Sequence, residues 1–172
     1  DFLQDIQQRL PLPQAIEAHY LLQKAIDHFN GAETESLKPP KYNHPINWNL
    51  AGVVDGQTRG IIETEKGDIT IAFYPQAAPG AVANFIQLSK NGFYNGKNFH
   101  RVVPNFVAQG GCPRGDGYGS LDYTIRSELA ALYYDRPGRV GMASAGNHTE
   151  CTQFFITHSP TPHLDGRYTL FG

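Results

Sequence analysis

Cysteine is scarce: Cys112 and Cys151 are the only two in 172 residues. Two are too few for a disulfide scaffold. Nothing in their spacing demands a bond, so they read as free thiols, with a single bridge as the alternative and the redox compartment left open. An excess of positive charge is also missing. Fourteen Lys and Arg stand against sixteen Asp and Glu, for a net charge of −2, which makes no electrostatic case for nucleic acid or an anionic membrane. No apolar run approaches the length of a membrane span. The opening "DFLQDIQQ" has no Met, no basic stretch and no apolar leader core, so a processed secreted or periplasmic protein and a fragment of a longer cytoplasmic one both fit. Against these absences stand 40% hydrophobic and 12% aromatic residues, enough for the core of one domain with an extension.

The chain changes grammar along its length. In residues 1–30, Ile16, Tyr20, Leu21, Ala25 and Phe29 fall on one helical face. Pro11 and Pro13 punctuate, and Asn30-Gly31 is a helix stop, so the segment reads as one or two helices. Residues 31–45, "GAETESLKPPKYNHP", are polar and Pro-rich and read as a linker, with the solitary Trp48 anchoring it to the next segment. From residue 51 strands dominate. "GIIETE" and "DITIAFY" flank Lys66-Gly67 as a hairpin, with Ile69, Ile71 and Phe73 on one face and Thr70, Ala72 and Tyr74 on the other. "PGAVANFIQLSKNG" reads as a helix started by Pro79 and stopped by Asn91-Gly92, with Val82, Phe85, Ile86 and Ser89 on a face. "FHRVV", "NFVAQGG", "GRVGMAS", "TQFFIT" and "RYTLF" come next as short strands, which argues for a barrel or sandwich. No repeat period is visible.

Three familiar chemistries fail on spacing. His148, Cys151, His158 and His163 have metal-like pair spacings. The strand "TQFFIT" between them, at ~3.3 Å per residue, sets Cys151 and His158 roughly 20 Å apart, whereas zinc ligands lie within ~2.3 Å of one ion. "GMASAG" lacks the glycine two residues before serine that a nucleophile elbow needs, because position 142 is Met. "GGCPRGDGYGS" lacks the lysine and following helix of a phosphate loop; it reads as a loop whose backbone approaches something closely. No metal and no cofactor are expected.

The stretch "NFHRVVPNFVAQGG", residues 98–111, is an apolar run interrupted by Arg101 and Gln109. In an unbroken strand Arg101, Val103, Asn105, Val107 and Gln109 share a face and Phe106 points away. A bulge or kink at Pro104-Asn105 would bring Phe106 round. In "TQFFIT", Gln153 and Phe155 share one face and Phe154 and Ile156 the other, so one face suits a core and the other a site. A lone strand Arg is usually solvated or paired. Here the candidate carboxylates Glu128 and Asp165 are distant in sequence, and an Arg beside Phe, Val and Gln describes a shallow apolar pocket with directed donors.

"FHRVVPNFVAQGG", "GMASAGNHTECTQFFIT" and "HLDGRYTLFG" resemble, in order and spacing, three motifs of the cyclophilins, bacterial-like members included, over roughly residues 57–172. Residues 1–50 lie outside the resemblance. It implies a mainly β fold, an eight-stranded antiparallel barrel with few helices, over residues 51–172, preceded by a helical extension and linker over residues 1–50. It also implies a further C-terminal helix and closing strand, so the sequence reads as C-terminally incomplete. The implied activity is peptidyl-prolyl cis–trans isomerisation in protein folding, on proline-containing peptides or unfolded clients. Arg101 takes the catalytic position. Phe106, Val107, Phe155 and Leu164 take the positions lining the proline pocket, Gln109, Ser144 and Gln153 those contacting peptide backbone, and Gly117, Ala143 and Ala145 those near the groove.

Departures from the family pattern are specific. His163 stands in place of a frequent Trp and is expected to weaken cyclosporin-type ligands more than catalysis. Tyr168 stands where His is common, Ser144 replaces Asn with a shorter reach, and Val107 replaces a frequent Met. A module that binds proline-containing peptides with little catalysis is the alternative function. Residues 1–30 read equally as the remnant of a preceding helical domain and as a simple extension packed on the barrel.

Overall fold

Helix-stop chemistry organises the first half of the chain. The computed structural model of the protein describes residues 2–32 and 44–172, so most of the expected linker lies outside the described residues. The N-terminal segment forms two helices, α1 (Phe2–Arg9) and α2 (Ile16–Phe29), joined through the Pro-containing loop. The Gln7 amide ties them, donating to Gln23 Oε1 at 2.8 Å and to the His19 carbonyl at 3.3 Å. At the end of α2, Gly31 takes φ +65°, and the amides of Gly31 and Ala32 donate back to the carbonyls of His28 and Asp27. This satisfies the last helical carbonyls.

The expected apolar face of α2 is only partly buried. Ile16 is 4% exposed, whereas Phe29 is 77% and Leu21 49% exposed. The start of the helix lies against the rest of the protein, and its far end at Phe29 stands in solvent. Trp48 opens the short helix α3 (Trp48–Ala51) and is 65% exposed. It does not anchor the chain by burial; Ile46 beside it is half-buried and packs near Gly80.

The expected hairpin forms from β1 (Arg59–Ile62) and β2 (Ile69–Ala72), paired antiparallel with Ile62 opposite Ile69. Helix α4 (Pro79–Lys90) starts on Pro79 and stops at Asn91-Gly92 as the sequence indicates. Its buried face runs from Gly80 to Phe85 and includes Leu88. Ser89 is exposed and instead returns its hydroxyl to the Phe85 carbonyl. The first amides of α4 have an unexpected partner. The Glu128 carboxylate accepts from Gly80 N at 3.0 Å and Ala81 N at 2.9 Å. Burial pushes the Glu128 carboxyl up, against the lowering effect of these two amides. Replacing Glu128 by Ala should destabilise the protein by about 1–2 kcal/mol, because two helix-end donors lose their acceptor. Urea unfolding measures this, and an unchanged midpoint would show that water replaces the carboxylate without loss.

The larger sheet contains β3 (Arg101–Val103), β4 (Val107–Gly110), β5 (Val140–Met142) and β6 (Phe154–Thr157), in the order β3-β4-β6-β5 and antiparallel throughout. "RYTLF" forms a single bridge, Leu170 to Gly141, rather than a strand. The last residues still link the two sheets: Phe171 and Gly172 exchange backbone bonds with Val140, and Tyr74 N donates to Phe171 O. The eight strands implied by the resemblance are thus represented, among the described residues, by six strands and these bridges.

Alternation along β6 divides the interior. Phe154 joins the main core with Ile71, Phe73, Val82, Phe85, Met142 and Phe171. Phe155, on the opposite face, joins Val107, Tyr134, Leu164 and Leu170. The second cluster is the floor of the site.

Candidate active site

The stretch 98–111 is not one kinked strand. It is a β-hairpin, with β3 and β4 joined by Pro104, Asn105 and Phe106. Asn105 takes φ +58°, a left-handed conformation that Asn tolerates better than most residues, and Phe106 N donates back to Val103 O at 3.1 Å. The reversal does what a bulge was expected to do, by different geometry. It sets Arg101 directly opposite Gln109. The next strand places Phe155 beside Gln109, and the one after places Gly141 beside Phe155. Arg101, Gln109, Phe155 and Gly141 therefore form one row across the sheet, with the side chains of the first three on one face.

That row borders a cavity of about 360 Å³, within the usual ligand-site range of about 300–1,000 Å³. Val107, Phe155 and Leu164 are its buried apolar walls, 2%, 5% and 7% exposed. Phe106 closes one side and stacks on His163, with ring centres 5.3 Å apart. Tyr168 packs edge-on against Phe155 at 5.7 Å. Ala143, Ser144 and Ala145 line the opposite side; Ala143 N is held by the Gln153 carbonyl and Ala145 N by the Thr149 hydroxyl.

Arg101 is exposed at the rim, its guanidinium carbon 5.8 Å from the centre of the Phe106 ring. Among the described residues no carboxylate forms an ion pair with it. The two carboxylates considered from sequence are engaged elsewhere: Glu128 holds α4, and Asp165 accepts from Tyr134 N at 2.7 Å. Gln109 donates to Gln153 Oε1 at 3.0 Å. Gln153 in turn donates to the carbonyls of Gly117 and Gly119, each at 3.0 Å. The Gly-rich loop is thus fastened to the sheet by one buried amide, and Gln109 is held by the same group.

The thirteen residues expected at the site converge. Ten line the cavity directly, while Gly117, Gln153 and His163 lie one contact behind it. Sequence reasoning missed Tyr118, an aromatic in the Gly-rich loop, and Glu17, Tyr20, Leu21 and Lys24 of α2, all of which also line the cavity. Helical spacing signals that α2 has an apolar side but carries no information about which surface it meets.

Burial pushes the Glu17 carboxyl up to about 7, with the nearby Asp116 charge adding to the shift. Its sign is fixed by linkage. Between the ordinary value of 4.5 and about 7, the folded protein retains a proton that the unfolded chain has lost, so stability falls as pH rises through that window and levels off above it. Glu17→Gln removes this dependence. Its melting temperature should match the wild type near pH 4.5 and exceed it at pH 7.5; a difference that stays constant with pH would show that Glu17 is not buried in solution.

Residues 60–172 match the family described as cyclophilin type peptidyl-prolyl cis-trans isomerase/CLD. A peptidyl-prolyl cis-trans isomerase of Synechococcus elongatus is 51% identical over 118 residues, covering 67% of this chain and 79% of that protein. Peptidyl-prolyl cis-trans isomerase B of Bacillus subtilis is 51% identical over 115 residues, covering 66% and 80%. Among solved structures, a cyclophilin type isomerase of Cryptosporidium parvum, crystallised in the presence of the dipeptide Ala-Pro, is 37% identical with a TM-score of 0.65 over 67% of this chain and 77% of that one. With more than half of its length matched by the family model, and with these relatives, the chain belongs to the cyclophilin-type peptidyl-prolyl cis–trans isomerases.

Proposed function

We propose that this chain isomerises X-Pro peptide bonds by a non-covalent mechanism in which Arg101 is the catalytic residue. The observation that carries the assignment is the row Arg101–Gln109–Phe155, which sets a guanidinium without a carboxylate partner among the described residues at the rim of an apolar pocket. An amide resists rotation with a barrier of ~18–20 kcal/mol, and uncatalysed X-Pro exchange takes tens to hundreds of seconds. Shortening ~100 s to ~1 ms requires a factor of about 10⁵, or ~7 kcal/mol. No bond is made or broken, so no nucleophile is needed.

As the amide twists, the proline nitrogen regains its lone pair. A donor aimed at that atom binds the twisted form better than the planar one, which is the condition for catalysis. Arg supplies a permanent charge and a planar fork of donors. A charge-assisted hydrogen bond contributes about 1.5–3 kcal/mol, so the remainder falls to positioning. Phe106, Val107, Phe155 and Leu164 grip the ring, and Gln109 and Ser144 hold the backbone on one side of the rotating bond. Ala143, Ala145 and Tyr168 shape the groove, with His163 behind Phe106. Because the Gln153 amide is engaged by Gln109, Gly117 and Gly119, it acts as a positioning residue for Gln109 and the loop. The substrates are proline-containing peptides and unfolded segments. Residues 1–50 act as an extension outside the catalytic unit of residues 51–172.

The test is cis–trans exchange of an Ala-Pro peptide followed by NMR. Exchange without acceleration, in a folded protein that still binds the peptide, would replace the enzyme reading with that of a binding module.

A further inference from the structure

Next to the main cavity lies a smaller recess, walled on one side by Ile16 and Glu17 of the protein's own extension. Ala143 and Glu17 line both cavities, so the two adjoin. Ile16 lines the recess together with Gly119, Ser120, Thr149 and Gln153, and only about 10 Å³ remains open, room for about one water at most. Ala15 and Ile16 are 8% and 4% exposed. Two residues before Ile16, the Gln14 carbonyl accepts from Ser120 N at 3.1 Å. Beyond Ile16, Tyr20, Leu21 and Lys24 continue along the mouth of the main cavity, which stays open.

A main-chain hydrogen bond beside an apolar side chain at a recess is the pairing by which peptides dock on a protein surface, made here by the turn that opens α2. We propose that Gln14–Ile16 is an intramolecular occupant of the substrate groove, and that Ile16 is a specificity-determining residue. It closes the recess to client side chains flanking the X-Pro bond while leaving the proline pocket free. The inference rests on the isomerase reading of that groove. A tethered segment competes at an effective concentration that reaches millimolar for short flexible linkers. Minimal X-Pro units bind without displacing it, whereas longer clients with a bulky apolar neighbour must expel Ile16. The extension thus filters clients by length and by side chain, using contacts that the catalytic unit by itself does not contain.

The experiment compares the full chain with Ile16→Ala. Two probes are used: the blocked dipeptide Ala-Pro, and the blocked hexapeptide Leu-Leu-Ala-Pro-Ala-Ala. Affinities come from amide shifts in NMR titrations, and exchange rates are measured in parallel. Removing most of the Ile16 side chain should lower the hexapeptide Kd about tenfold and change the dipeptide Kd less than twofold. Ile16→Val, which removes one methylene and disturbs packing far less, serves if the alanine variant does not fold; its expected change is about two- to threefold. The same hexapeptide-to-dipeptide affinity ratio in wild type and variant would overturn the inference. Affinities that shift as expected without accelerated exchange would overturn the isomerase reading and leave the occupied recess standing.

Discussion

Replacing Arg101 by alanine should lower kcat/KM for Ala-Pro exchange by about 100-fold, with KM changed by less than threefold. The size follows from one charge-assisted donor that acts mainly on the twisted amide, about 1.5–3 kcal/mol, increased by the apolar wall beside it. The split follows from the planar substrate, whose delocalised nitrogen offers Arg101 little to bind. Arg101 is exposed and has no ion pair among the described residues, so the variant should fold normally, with stability within about 0.5 kcal/mol of wild type. Arg101→Lys should recover only part of the rate, because a point charge replaces a planar fork. A folded Arg101→Ala protein with undiminished exchange would remove Arg101 from the mechanism and leave the shaped pocket as the sole source of catalysis.

Gly141→Ala should be the most damaging single-methyl change at the site. Gly141 faces Phe155 across the β5–β6 pair. A Cβ there would stand 2.6 Å from Phe155 Cζ and would overlap the Tyr134 hydroxyl. Neither ring yields freely. Tyr134 is 1% exposed and hydrogen-bonded to the Tyr168 and Thr169 carbonyls, and Phe155 is packed between Tyr134 and Tyr168. Overpacking of this kind costs about 1–3 kcal/mol, which corresponds to a melting temperature lower by roughly 2–12 °C at this chain length. The route of relief matters for function: the open side of Phe155 is the cavity, so proline affinity should fall together with stability. Calorimetry and peptide titration on one sample measure both. A variant with unchanged melting temperature would show that the row across the sheet is looser than its geometry indicates.

Local chemistry is legible in the sequence wherever a few neighbouring residues decide a conformation. Pro79 and Asn91-Gly92 bound α4, and Asn30-Gly31 ends α2, because proline geometry and a left-handed glycine act over one turn. Strand alternation separates Phe154 from Phe155 before any partner is known, since successive side chains must point to opposite faces. The hairpin at 104–106 is half visible. Pro104-Asn105 marks a break, but a bulge, a kink and a reversal share that signal, and the cross-strand bonds that distinguish them are not local.

The resemblance to three cyclophilin motifs singled out the residues that the fold gathers around the cavity, whereas strand parity by itself grouped only Arg101 with Gln109 and Gln153 with Phe155. Contacts across long separations came only from the folded chain. Glu128 reaches amides 47 and 48 residues away, Gln153 fastens a loop more than 30 residues behind it, and Ile16 lines the recess beside the main cavity. An amphipathic pattern or a lone carboxylate records that a group needs burial or a donor. Which surface supplies it is settled by the packing of the whole chain, where many weak contacts compete for the same space.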